Sequence, residues 1–344
     1  MYLDLIKAGY TSVCEFHYLH HVGSAPLAAS QALIDAAATS GIALTLLPTL
    51  YERAGFDQQG PTDQQRKFVL NIDEFMRLVA ELGSISEKSS QLEIGIAFHS
   101  LRAVSPVSMK SVLDSIPQAV PIHIHIAEQL AEIESCKRHL GTTPIRWLLD
   151  NADVTARWCL IHATHATPEE ASAISTSGAC VCLCPTTEGD LGDGLFSAKS
   201  FLAGDGRFGI GGDSHVNVDP FLELRLFEYG QRMKYEQRNV FRLARAESFG
   251  GRLYRAACGG GAQASGQRIG AIAAGHRADW IVLDQADAIG QHGDALLDSA
   301  IFGPLRAPIG DVMVGGRWHV RDGVHPRHAE IAARYAITLR RLLT

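Results

Sequence analysis

The sequence predicts an α/β fold: a (β/α)8 barrel of the TIM type that lacks its first strand, followed by part of a small β-sandwich. Three observations carry this. Short apolar runs alternate with helix-like stretches over the first 265 residues. Seven such runs occur, one fewer than a closed barrel needs. After about residue 265 the texture changes to short β segments punctuated by Gly turns. The expected organisation is a barrel over 1–265, then a β-sandwich portion and terminal helix over 266–344.

The strand candidates, in order, are Thr11–Phe16, Ile42–Leu50, Leu92–His99, Pro121–Ile126, Trp158–His162, Ala179–Cys184 and Phe208–Gly212. Helices lie between them. Asp73–Leu82 places Phe75, Leu78, Val79 and Leu82 on one face, and Gly83 reads as its C-terminal stop. Thr167-Pro168-Glu169-Glu170 reads as a capping box with proline at the first helical position. Asp219-Pro220 opens the helix after the seventh strand in the same way. Met1–Lys7 reads as the end of a helix running into the first strand, so the chain enters the barrel at its first helix. Further on, Trp280–Leu283 reads as a strand, and Val312–Val314, Gly315-Gly316 and Trp318–Val320 as a hairpin.

Composition bounds the function. The 344 residues carry a net charge of −6 with a pI near 6.2, and no Lys/Arg block stands out. That argues against a nucleic-acid or membrane-surface partner, and requires local arginines if the substrate is an anion. No apolar run approaches a membrane span, and Met1–Tyr10 lacks a signal-peptide pattern. Seven cysteines, mostly within apolar runs, read as reduced thiols of a cytoplasmic protein. Cys180, Cys182 and Cys184 alternate, which admits a metal-ligand reading, but in a strand they are every second residue on one face, which favours packing.

Barrel enzymes gather their chemistry at the C-terminal strand ends, and here those ends carry polar residues one after another. In Pro121–Ile126 the isoleucines share one face, suited to outer helices, and His123 and His125 share the other. His125 stands at the strand end with Glu128 three residues on. A neutral imidazole ligates zinc, and a nearby carboxylate can shuttle protons. Core histidines and a solvated glutamate are the bland alternative. The next strand ends in His162, and the last is followed by Asp213-Ser214-His215, which suits either a metal ligand or a helix cap. The third ends in His99 with Arg102 one short turn on, a forked clamp for carboxylates or a plain surface arginine. Together, His-x-x-Glu, His and Asp at three strand ends read as a mononuclear metallohydrolase.

The chain thus resembles the metal-dependent amidohydrolase superfamily in its mononuclear deaminase branch. Within it, the chain is similar to the deiminases of N-formimino-L-glutamate in histidine degradation. The stretches that carry the likeness are Glu15-Phe16-His17-Tyr18-Leu19-His20-His21, His123–Gln129, Ile161–His165, Cys184–Glu188 with Leu191–Gly194, and Gly212–His215. Gly270–Leu283 resembles the superfamily's small β-sandwich.

The resemblance implies roles. His125 and Asp213 would bind one Zn2+, with Asp213 also the base for the hydrolytic water. Glu128 would carry the proton to the departing nitrogen, and His162 would stabilise charge on the attacked amidine. His99, Arg102 and Tyr18 would hold the glutamate part. The family's His-x-His pair on the first barrel strand has no counterpart upstream of Met1, so the chain as it stands is expected to be inactive and to hold zinc weakly. The intact family member would convert N-formimino-L-glutamate to N-formyl-L-glutamate and ammonia, as a homodimer. Two alternatives stay open: a deaminase acting on a ring amidine, and a non-catalytic remnant.

Overall fold

All seven predicted barrel strands form and pair in parallel. The structure, a computed structural model, describes residues 1–21, 25–57, 60–241, 248–284, 292–303 and 309–343. The strands are β1 (Ser12–His17), β2 (Ala43–Leu50), β3 (Leu92–Ile94), β4 (Ile96–Phe98), β5 (Ile122–Ile126), β6 (Trp158–His162), β7 (Cys180–Leu183) and β8 (Arg207–Ile210). Their order is β1-β2-β4-β5-β6-β7-β8, with β3 also on β2. Strand order follows chain order, as in a barrel of βα units.

The third predicted strand is split in two. Gly95 lies between the two, where a side chain would meet the Leu47 side chain at 2.6 Å and the Pro121 carbonyl at 2.9 Å, and the register with β2 runs unchanged across it. A second correction concerns Gly83. It does not stop its helix, which runs Ile72–Ser86. Gly83 has open space around it, so it costs about 1 kcal/mol of helix propensity without blocking the turn. The Asn71–Glu74 capping box fixes the start of that helix. The capping box at Thr167–Glu170 and the Asp219 cap both form as predicted.

The core follows from the alternation. Ile122, Ile124 and Ile126 are fully buried, and so is every residue of β2. Strands covered on both faces are characteristic of parallel sheets. Inside the barrel, Cys159 and Cys180 pack with Cys182, as predicted for alternating packing residues. All seven cysteines are free.

The helix Phe249–Ser265 packs against β7 and β8 and reaches β1. A Cβ at Gly260 would lie 1.8 Å from the Phe208 carbonyl oxygen, so only glycine lets this helix rest on β8. His123 Nε2 hydrogen-bonds the Ala264 carbonyl at 2.8 Å, and Thr45 Oγ1 donates to the Ser265 carbonyl at 3.1 Å. Gln263 Nε2 donates to the carbonyls of Ala156 and Gly178, just before β6 and β7.

The C-terminal region forms one antiparallel sheet of β9 (Trp280–Leu283), β10 (Ile309–Val314) and β11 (Arg317–Val320), ordered β11-β10-β9. Gly315 and Gly316 have φ of +57° and +78°, as the tight turn of the predicted hairpin requires. A terminal helix spans His328–Leu343. Among the described residues no helix is long and apolar enough to cross a membrane.

Candidate active site

The residues singled out from sequence converge at the C-terminal ends of β4, β5, β6 and β8. His125 stands level with His99 on the neighbouring chain segment. Its backbone N–H donates to the His99 carbonyl at 3.3 Å, and its Nδ1 hydrogen-bonds the same oxygen at 3.0 Å. That contact places the proton on Nδ1 and leaves Nε2 with a lone pair. Burial, then the neighbouring His99 and His162, hold the His125 imidazole well below its ordinary pKa, in the neutral form a metal needs.

His162, at the end of β6, is almost fully buried. Its Nε2 lies 3.8 Å from Glu128 Oε1 and 4.0 Å from Asp213 Oδ2. Its Nδ1 lies 3.3 Å from Glu188 Oε1. Burial disfavours the imidazolium. The hydrogen bond to Glu188 and the charges of Glu128, Glu188 and Asp213 outweigh it and raise the pKa to about 9. The His125 and His162 rings stack 5.7 Å apart.

Glu128 follows Ala127, whose φ is +52°, in the loop before the helix Leu130–Leu140. Its N–H donates to Glu132 Oε2 at 3.1 Å. Burial raises the Glu128 carboxyl, and the charge of His162 partly offsets this. Asp213 lies three residues beyond β8, in a turn with φ +41°. The helix-cap alternative does not hold for it, since Asp219 caps the next helix. Burial likewise raises Asp213, again opposed by His162.

His99 and Tyr18 meet edge to face at 5.3 Å, and Tyr51 packs on His99 at 4.7 Å. Burial, then the charge of Arg102, lowers His99 to about 3. Arg102 is half-buried, and its charge is near enough to bias His99, Tyr51 and Glu128. Among the described residues it has no ion-pair partner.

Three contributors were not assigned from sequence. Phe16 packs on the His125 ring at 4.1 Å. Tyr51 walls His99. Glu188 backs His162 across 26 positions of sequence. The one hint for Glu188 was a carboxylate directly after Cys184-Pro185-Thr186-Thr187, where a strand turns into a helix.

Parallel strands in this order bring His, Glu, His and Asp together at their C-terminal ends, an arrangement suited to hydrolysis of the amidohydrolase type. The sequence profile of the Amidohydrolase family matches residues 1–319, and the chain belongs to that family. It is 45% identical over 350 residues to formimidoylglutamate deiminase of Pseudomonas aeruginosa, covering 100% of this chain and 77% of that protein. It is 27% identical over 333 residues to 8-oxoguanine deaminase of the same organism, covering 93% and 70%. An amidohydrolase from Brucella melitensis superposes with a TM-score of 0.95 at 40% identity, over 100% of this chain and 77% of that one. An adenosine deaminase from Xanthomonas campestris, solved with bound zinc, shares the fold with a TM-score of 0.79 at 20% identity, over 98% and 72%.

Proposed function

We propose that this chain carries the active-site half-shell of a formimidoylglutamate deiminase, which hydrolyses N-formimino-L-glutamate to N-formyl-L-glutamate and ammonia. The observation that carries the choice of substrate is Arg102, half-buried beside His99 and without an ion-pair partner among the described residues. A carboxylate-bearing linear amidine supplies that partner, whereas a neutral ring amidine does not. The likeness to the Pseudomonas deiminase supports the same reading.

The donor types fit a divalent zinc ion: an imidazole whose Nε2 is free because Nδ1 is engaged, and the Asp213 carboxylate. These two residues would hold it, and they are one short of the three protein donors usual at a catalytic zinc. When bound, zinc supplies Lewis acidity that brings the pKa of a water near neutrality.

The chain's own residues do the rest. Asp213 accepts a proton from the attacking water. The C–O bond forms at the amidine carbon, the terminal imino nitrogen takes up both protons of the water, and that C–N bond breaks to release ammonia as the C–O bond becomes the formyl C=O. Glu128, 3.8 Å from His162 Nε2, carries the proton across. His162 offers positive charge and a donor to the developing tetrahedral centre. Arg102, His99 and Tyr18 hold the glutamate end. The reading places the enzyme in the cytoplasm as a homodimer, with the barrel over 1–265 and the sandwich portion over 266–344.

A substrate panel tests it. With these residues carried in an active deiminase background, ammonia release from formiminoglutamate, with none from purines or pterins, is the expected result. Preference for a ring amidine would replace the reading.

A further inference from the structure

We infer that Glu188 is the positioning residue for His162: it fixes the imidazole proton on Nδ1 and aims Nε2 at Glu128 and Asp213.

The geometry is specific. Glu188 lies in the short helix Pro185–Leu191 that follows β7, with its side chain 7% exposed. One carboxylate oxygen, Oε1, takes two donors. Cys184 N–H donates to it at 2.9 Å, and His162 Nδ1 approaches at 3.3 Å. Only a protonated Nδ1 can donate there, so Nε2 must face the other two carboxylates. His162 itself has φ +68°, a left-handed conformation that a non-glycine residue keeps only when its surroundings hold it.

The helix bearing Glu188 is in turn pinned by its two preceding residues. Thr186 donates from both N–H and hydroxyl to the fully buried Glu223, at 3.0 and 2.6 Å. Thr187 Oγ1 donates to the Gly212 carbonyl at 3.1 Å and accepts from Ser214 N–H at 3.2 Å, on either side of Asp213. Three consecutive residues therefore reach three separate places: the next helix, the Asp213 turn and the His162 ring. The brace sets His162 and Asp213 relative to each other.

The same atoms suggest a rival role. His162, Cys184 and Glu188 offer donors that all lie within 4.8 Å of one another, as a metal site would. Glu188 Oε1 is already saturated by two N–H donors, which favours positioning over ligation.

The kinetic arm of the test rests on the role proposed above for His162, and the spectroscopic arm does not. Nitrogen-15 NMR of the histidine side chains, recorded above about pH 10 where the His162 ring is neutral and assigned by loss of a signal in His162→Asn, reads the His162 tautomer directly. The parent and Glu188→Gln should both show a protonated Nδ1, since a glutamine oxygen can accept from the same two donors. Glu188→Leu should lose that signature and, in an active deiminase background, lower kcat by about tenfold to a hundredfold with little change in KM. Should Glu188→Leu fail to fold, Glu188→Asp, one methylene too short to reach Nδ1, takes its place. An unmoved tautomer in that variant overturns the inference, whatever happens to kcat. A shifted tautomer with kcat within threefold of an active parent upholds the inference and removes the role proposed above for His162. Tight cadmium binding by the parent that is lost in Glu188→Gln would assign the cluster to a metal instead.

Discussion

The imidazole of His125 is held by a backbone oxygen of His99, not by the His99 side chain. The 3.0 Å contact from Nδ1 to that carbonyl is fixed by the register of β4 and β5, in which Phe98 pairs with Ile124. Ring orientation at the candidate metal position is thus a property of the sheet. Zinc titration of purified protein should show affinity reduced at least about tenfold in His125→Asn, and nearly unchanged in His99→Ala. Equal losses would mean that the His99 ring, and not its carbonyl, orients the ligand.

Glu128 is expected to be a proton carrier. Its carboxylate stands 3.8 Å from His162 Nε2, and its backbone is fixed by Glu132. Glu128→Gln, made in an active deiminase background, should retain zinc and lose turnover by roughly a hundredfold or more. Turnover within a few-fold of the parent would remove Glu128 from the reaction.

Arg102 gives a prediction about selectivity. Arg102→Met should lower the specificity constant for formiminoglutamate by about 2–5 kcal/mol, as for removal of one partner of a buried charge pair. A formiminoglycine-like substrate lacking one carboxylate should suffer less. Identical losses on both substrates would show that Arg102 supports the loop alone.

Glu132 gives a stability prediction with a definite sign. Burial, partly offset by Arg102 and by the N–H groups of Glu128 and Ala127, raises its carboxyl from 4.5 to about 7. The folded state therefore binds the proton more tightly than the unfolded chain. The stabilisation this gives is complete below about pH 4.5 and is lost as pH rises through about 7. Glu132→Gln, which keeps an uncharged acceptor, should flatten this dependence. The stability difference between variant and parent should move in the variant's favour by on the order of 3 kcal/mol between pH 4.5 and 7.5. Denaturant unfolding across that range measures it, and parallel pH curves would count against the shift.

Gly260 gives a packing prediction. A methyl group there meets a backbone oxygen that cannot move without displacing β8. Gly260→Ala should cost about 3 kcal/mol or more. Gly259, which has open space at the same helix level, should accept alanine with no loss. A thermal midpoint for Gly260→Ala matching that of Gly259→Ala would show that the helix does not seat as described.

Much of this was legible in the sequence because strands write their faces with period two. The isoleucines and histidines of β5 declared inside and outside before any neighbour was known. Asp213 was placed near its strand end, although β8 stops at Ile210 and a left-handed turn delivers the carboxylate. That turn depends on Thr187, 26 residues upstream, and no local pattern reports it. Glu188 was hidden for the same reason: its target lies on β6, and only the packing of a post-β7 helix brings the two together. Gly83 misled because propensity favours a stop there while the packing of Phe75, Leu78 and Leu82 carries the helix onward.

Nine described residues other than glycine have left-handed backbones, and five of them, Ala127, His162, Ala163, Asp213 and His215, sit in the three loops that carry the chemistry. Each such residue is about 1–2 kcal/mol less comfortable than it would be in an ordinary conformation. The site is therefore the least contented part of the molecule, and natural drift toward a sturdier protein has an easy downhill route there. Ala163→Gly is the simplest such step, since it removes a methyl group from a strained position and touches no catalytic atom. Screens that select for heat resistance alone should collect relaxing changes at these five positions. The survivors should be hardier and slower.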